Sequence, residues 1–89
     1  MSIGIKKPIQ DELEGLGVFS WDIWEKEESE FDWHYDKKEI CYFLEGEVDV
    51  ELEDGRIIHV GQGDLVTFPE GLSCRWNIKK AVKKHYCFE

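Results

Sequence analysis

Few side chains here can do chemistry beyond packing, and their spacing narrows that chemistry further. Cys41, Cys74 and Cys87 are three separated thiols with no Cys-x-x-Cys pair. An odd number at such spacing suits free thiols in a reducing compartment better than a disulfide framework. A nucleophilic cysteine needs a base, and His34, His59 and His85 stand at no recognisable spacing from Cys74. Cys74 is therefore expected to pack as a small apolar group. The basic run Lys79-Lys80 with Lys83-Lys84 brackets Ala81-Val82 and reads as a solvated turn between two strands, not as an anion site. Twenty acids against 11 bases leave a formal net charge of −9, a surface that repels phosphate backbones. With no basic, aromatic-interleaved stripe to offset it, nucleic acid is not an expected partner. No segment could span a bilayer, and the stretch from Met1 to Lys7 lacks the apolar run of a secretion signal. A soluble cytoplasmic protein without a membrane partner is expected.

The elements that must position these residues are strands. An 89-residue chain holds one domain, and four Trp help to fill its core. Pro8, Gln10 to Glu14 and Gly15 read as one short helical turn, opened by proline and closed by glycine. From there the pattern is strand and turn to the end. Glu47 to Glu53 alternates acid and aliphatic without a fault, which buries one face and wets the other. Asp54-Gly55 follows and predicts a type I′ hairpin turn, with Arg56 to Val60 as the returning strand. Upstream, the apolar run Glu39 to Leu44 is expected to turn at Glu45-Gly46. Downstream come a glycine-rich turn at Gly61 to Asp64, a strand Leu65 to Phe68 ended by Pro69-Glu70-Gly71, and strands over Ser73 to Ile78 and Lys83 to Phe88. Short strands at near-regular spacing indicate an all-β sandwich or barrel.

Two spacings within this frame carry a resemblance. Glu39 and Gly46 are separated by six residues, Gly63 and Pro69 by five, and Pro69 and Gly71 by one. Together they resemble the second half of the first cupin motif and the front of the second. The stretches Tyr42 to Gly46 and Gly63 to Gly71, then Trp76, are similar to a narrower group of small, RmlC-like cupins, related to ureidoglycine aminohydrolase and the ethanolamine-utilisation cupins. The resemblance covers roughly Val18 to Phe88. It implies a cupin (double-stranded β-helix, jelly-roll) barrel over 18–89, with residues 1–17 adding a strand and helical turn that pack on it. It also implies a homodimer, an internal pocket and, commonly, a metal held by three His and one Glu.

The His positions of that set are not kept. Depending on spacing, the first pair falls on Trp33 and Tyr35 or on Asp32 and His34, and the last falls on Cys74; only Glu39 is retained. Side chains two apart share a face of a strand, so Trp33 and Tyr35 have the parity of Glu39 and His34 points outward. An inserted residue near Asp36 to Lys38 would reverse this and assemble Asp32, His34, Glu39 and Cys74 as a donor set for zinc, iron or manganese. Without it, no cofactor is predicted and the pocket is Trp33, Tyr35, Glu39, Cys41, Phe43, Cys74 and Trp76. Glu39 would then be a buried carboxylate, expensive unless bonded, with the Tyr35 hydroxyl and the Trp33 or Trp76 indole as donors. Two functions follow as expectations. One is an enzyme on a small polar metabolite, with Glu39 as acid or base and C–N chemistry on a ureido compound implied by the resemblance. The other is a metal-free binding or regulatory protein whose aromatic walls stack on a sugar or planar ring.

Overall fold

The computed structural model describes residues 3–89; Met1 and Ser2, where the expected N-terminal segment begins, lie outside the described residues. That segment contributes β1 (Gly4–Lys6), paired antiparallel with β6 (Leu65–Phe68), and the helix α1 (Gln10–Leu16). The helix runs two residues further than its sequence suggests. Gly17, with φ 73°, is the left-handed cap, while Gly15 stays helical.

After a single 3₁₀ turn at Val18–Ser20 come β2 (Asp22–Lys26) and β3 (Ser29–His34). Two long strands then organise the rest, β4 (Glu39–Leu52) and β7 (Ser73–Phe88), with β5 (Ile57–Gly61) and β6 between them. The first half of β4 pairs with β6 and the second half with β5. Likewise β7 pairs first with β3, then with β2, and along its whole length with β4. The bend shared by β4 and β7 thus divides the strands into two facing layers, β1-β6-β4-β7-β2 and β5-β4-β7-β3. The result is an all-β barrel, as the strand pattern allows, and the jelly roll that the resemblance implies.

Two expected turns are strand instead. The chain does not reverse at Glu45-Gly46, nor at Lys79 to Lys84. These segments lie opposite each other and bend together. From Phe43 to Val48, β4 advances five residues while β7 recedes six, from Lys84 to Ile78. Because five is odd, the buried set of β4 switches from Glu39, Cys41 and Phe43 to Val48, Val50 and Leu52. On β7 six is even, so Cys74, Trp76, Ile78, Val82 and Lys84 stay on one buried face. Gly46 permits the crossing: its φ is 103°, and an added Cβ would lie 2.5 Å from the Ala81 carbonyl oxygen.

The Asp54-Gly55 hairpin forms where expected but is not type I′. Among the described residues only glycines have positive φ, here Gly55 at 89°. Leu52 N–H bonds the Arg56 carbonyl at 2.8 Å, closing a three-residue loop with glycine at its left-handed position, so β5 begins at Ile57. The core beneath is Val48, Val50, Val60, Val66, Phe43 and Phe68, all fully buried, each worth about 1.5–3 kcal/mol in transfer from water.

Candidate functional site

Four strands meet around the inner end of β7. Lys84 lies opposite Phe43 on one side and Trp24 on the other. Its parity places it inside with Val82, and its side chain is 5% exposed. The ammonium is bonded to Glu39 Oε2 at 3.0 Å, and the Glu39 side chain is equally buried. Four rings surround the same Nζ, with centroids at 4.7 Å (Trp76), 5.0 Å (Trp24), 5.8 Å (Phe43) and 6.0 Å (Phe68). An ammonium out of water is tolerated here because a carboxylate neutralises it and ring faces present negative charge to it. The basic run is therefore not a solvated turn throughout: Lys79 and Lys80 are exposed, whereas Lys84 is core.

This pair lies at the floor of a cavity of about 230 Å³. Its walls are Trp24, Phe31, Trp33, Tyr35, Trp76, Tyr86 and Phe88, and among the described residues Glu39 and Lys84 are its only charged lining. Phe31 stacks on Trp76 at 6.0 Å and 26°, and Tyr35 stacks on Phe68 at 4.8 Å and 6°. Trp33 and Phe88, 48% and 46% exposed, stand at the rim.

Of the residues expected to form a pocket, Trp33, Tyr35, Glu39 and Trp76 are brought together here. Cys41 and Phe43 are wholly buried and pack beneath the cavity without lining it. Cys74, opposite Trp33, lines a neighbouring open cleft with Asp32, His34, Ser73 and Arg75. Glu39 is not bonded as its sequence neighbours suggest. Its partner is Lys84, while Tyr35 Oη and Trp76 Nε1 are buried without a hydrogen-bond partner among the described residues. Each such orphan costs about 1–3 kcal/mol.

The donor set Asp32, His34, Glu39 and Cys74 is not assembled. The strand β3 runs without a bulge, so Asp32 and His34 face outward opposite Arg75 and Ser73, and His34 Nδ1 lies 2.7 Å from Ser73 Oγ. Among the described residues no group of three or more His, Cys, Asp or Glu is placed to hold a metal. The residues present do not fit the metal that the resemblance implies; at the retained Glu39 the local cation is the Lys84 ammonium.

The thiols and phenol near the site are held protonated. Burial, reinforced by the charge of Glu39, pushes the Tyr35 phenol far above its ordinary range. Burial likewise raises the Cys41 thiol to about 12, opposed by Lys84, and the Cys74 thiol to about 11. None of these is an activated nucleophile.

Sequence reasoning missed Lys84, Trp24, Phe31, Tyr86 and Phe88. One signal was available: Val82, Lys84, Tyr86 and Phe88 alternate in a single register, which places Lys84 on the apolar face.

Comparison with known proteins adds the decisive observation: the EutQ-like cupin domain matches residues 13–86. The chain belongs to the EutQ-like cupin family. A DUF861-family protein of Thermotoga maritima is 52% identical over 99% of this chain and 100% of its own, with a TM-score of 0.97. The EutQ protein of Clostridium difficile is 26% identical, with a TM-score of 0.67, over 74% of this cupin and 52% of that chain. The fold recurs in a Salmonella typhimurium protein described as a putative ethanolamine utilization protein Q, 23% identical with a TM-score of 0.67 over 99% and 69% of the two chains. Comparison with curated proteins yields no match. Among the described residues no helix is long and apolar enough to cross a membrane.

Proposed function

We propose that this cupin binds a small, uncharged polar metabolite in the aromatic cavity, with the ligand's polar group held between Glu39 and Lys84. One observation carries the reading: a buried donor–acceptor pair at the floor of a cavity otherwise walled by aromatic rings. Ligand pockets that orient what they hold combine apolar walls with a few convergent polar groups in this way. The volume, about 230 Å³, suits a molecule the size of a monosaccharide or smaller, below the usual range for drug-sized ligands. A group with adjacent donor and acceptor, such as a carboxamide, a ureido group or a pair of sugar hydroxyls, matches a carboxylate beside an ammonium.

The pair also supports a catalytic reading. A carboxylate and an ammonium 3.0 Å apart can give and take a proton at the same ligand atom, as acid–base chemistry on C–N bonds requires. Binding is the broader claim and is tested first. Titration of small amides, ureido compounds and sugars against tryptophan fluorescence should find ligands that quench wild type and lose affinity in Glu39→Gln. A ligand series bound equally by wild type, Glu39→Gln and Trp33→Ala would overturn it. Three free cysteines support a reducing, cytoplasmic setting. The half-exposed Phe19 and Ile23 at and beside the β2 edge support a homodimer.

A further inference from the structure

Lys84 is the one lysine among the described residues that lines the aromatic cavity, and its position suits it to more than charge balance. We infer that Lys84 is a carbonyl-capturing residue: its Nζ forms a reversible imine with a small uncharged aldehyde or ketone bound in the cavity, with Glu39 as proton shuttle. The inference rests on the cavity being a ligand site, as proposed above.

Three features support it. The amine lines a cavity walled by Trp24, Phe31, Trp33 and Trp76, so a carbonyl compound stacked on these rings would lie beside Nζ. A carboxylate oxygen stands 3.0 Å from Nζ, close enough to take its proton. The charge balance survives the reaction. Lys84 begins as an ammonium, and Glu39 takes one proton as the freed lone pair attacks the carbonyl carbon. The C–N bond forms, and the carbonyl π pair moves to oxygen, which receives that proton. The nitrogen then gives a second proton through Glu39 to the same oxygen. Water leaves as the C=N bond closes. Ammonium plus carbonyl compound thus become iminium plus water, with one positive charge on each side. Glu39 faces a cation before and after, so its buried carboxylate is not left unpaired.

The lining also sets the class of carbonyl compound. Among the described residues no charged side chain other than the paired Glu39 and Lys84 lines the cavity, so no free cation there would receive a carboxylate or phosphate on the ligand. Aromatic walls favour a planar or apolar body.

The test treats the full chain with benzaldehyde and sodium cyanoborohydride and reads intact mass and peptide maps, with tryptophan quenching as a separate measure of occupancy. The expected result is one reduced adduct per chain, on Lys84, forming at least about ten-fold faster than on any surface lysine. Lys84→Arg should lose the adduct, and Glu39→Gln should slow it. Benzyl alcohol, which has the same body without a carbonyl, should suppress labelling of wild type, so the test does not depend on any variant folding. Quenching by both compounds without a Lys84 adduct, or with labelling spread evenly over the lysines, would overturn the imine and leave the pocket reading standing. No quenching and no adduct would overturn the imine, and the pocket reading falls with it if the amides, ureido compounds and sugars also fail to quench.

Discussion

Replacing Lys84 with methionine keeps most of the side chain's volume and removes its charge, leaving the Glu39 carboxylate alone among aromatic rings. Glu39 is 4% exposed, so water reaches it only through the cavity and replaces the lost bond poorly. Breaking a buried ion pair from one side costs about 3–5 kcal/mol. An upper limit comes from the carboxyl's escape route, which is to take up a proton. For a carboxyl of ordinary acidity in the unfolded chain, near 4.3, protonation at pH 7 costs about 3.7 kcal/mol at 1.36 kcal/mol per unit. The expected loss at pH 7 is therefore about 3–4 kcal/mol, or roughly 12–30 °C in Tm for a domain of this size. The pH dependence has a definite sign. In the variant the folded state holds Glu39's proton more tightly than the unfolded chain does. Its deficit should be greatest at neutral pH and shrink as pH falls toward 4. Urea unfolding followed by tryptophan fluorescence at pH 7, 6, 5 and 4 measures this. The double variant Glu39→Leu/Lys84→Met, which removes both charges, should recover to within about 1 kcal/mol of wild type. A single variant within about 0.5 kcal/mol of wild type at pH 7, or a double variant as unstable as the single, would refute the argument.

Other expectations follow from the same geometry. Because burial raises the Cys41 and Cys74 thiols to about 12 and about 11, a thiol reagent at pH 8 should modify Cys87 first, Cys74 in its cleft more slowly, and Cys41 only on unfolding. Gly46→Ala places a Cβ 2.5 Å from the Ala81 carbonyl oxygen at φ 103°; chemical denaturation should show a loss of about 2 kcal/mol or more. His59 is held above its ordinary range, chiefly by its hydrogen bond to Asp49 at 2.7 Å, with Glu47 adding to it. Its small contribution to stability should be complete below about pH 6.5 and fade as pH rises through the elevated value. Asp49→Asn should lower that value in an NMR titration of the ring. Sedimentation at micromolar concentration should show a homodimer that Ile23→Lys weakens; a sharp monomer for wild type would remove that proposal.

The sequence by itself determined the barrel and half of the site. Strict alternation in Glu47 to Glu53, glycine-marked turns and the spacing from Glu39 to Gly46 depend on local sterics and on one buried face, both of which act within a few residues. The same rule placed Trp33 and Tyr35 with Glu39 and turned His34 outward, where β3 leaves it. What it could not resolve was the meaning of two polar stretches, Glu45-Gly46 and Lys79 to Lys84. Each alone looks like a turn, since glycine and lysine runs end strands more often than they continue them. Only when β4 and β7 lie side by side does it become plain that the two segments bend together, with Gly46 fitted against Ala81. The bend changes the parity of one strand and not of the other, and Lys84 is thereby carried inside to meet Glu39, 45 residues away in the chain. That ion pair is a product of register between distant strands, and register is a property of the assembled sheet that no short window of sequence contains.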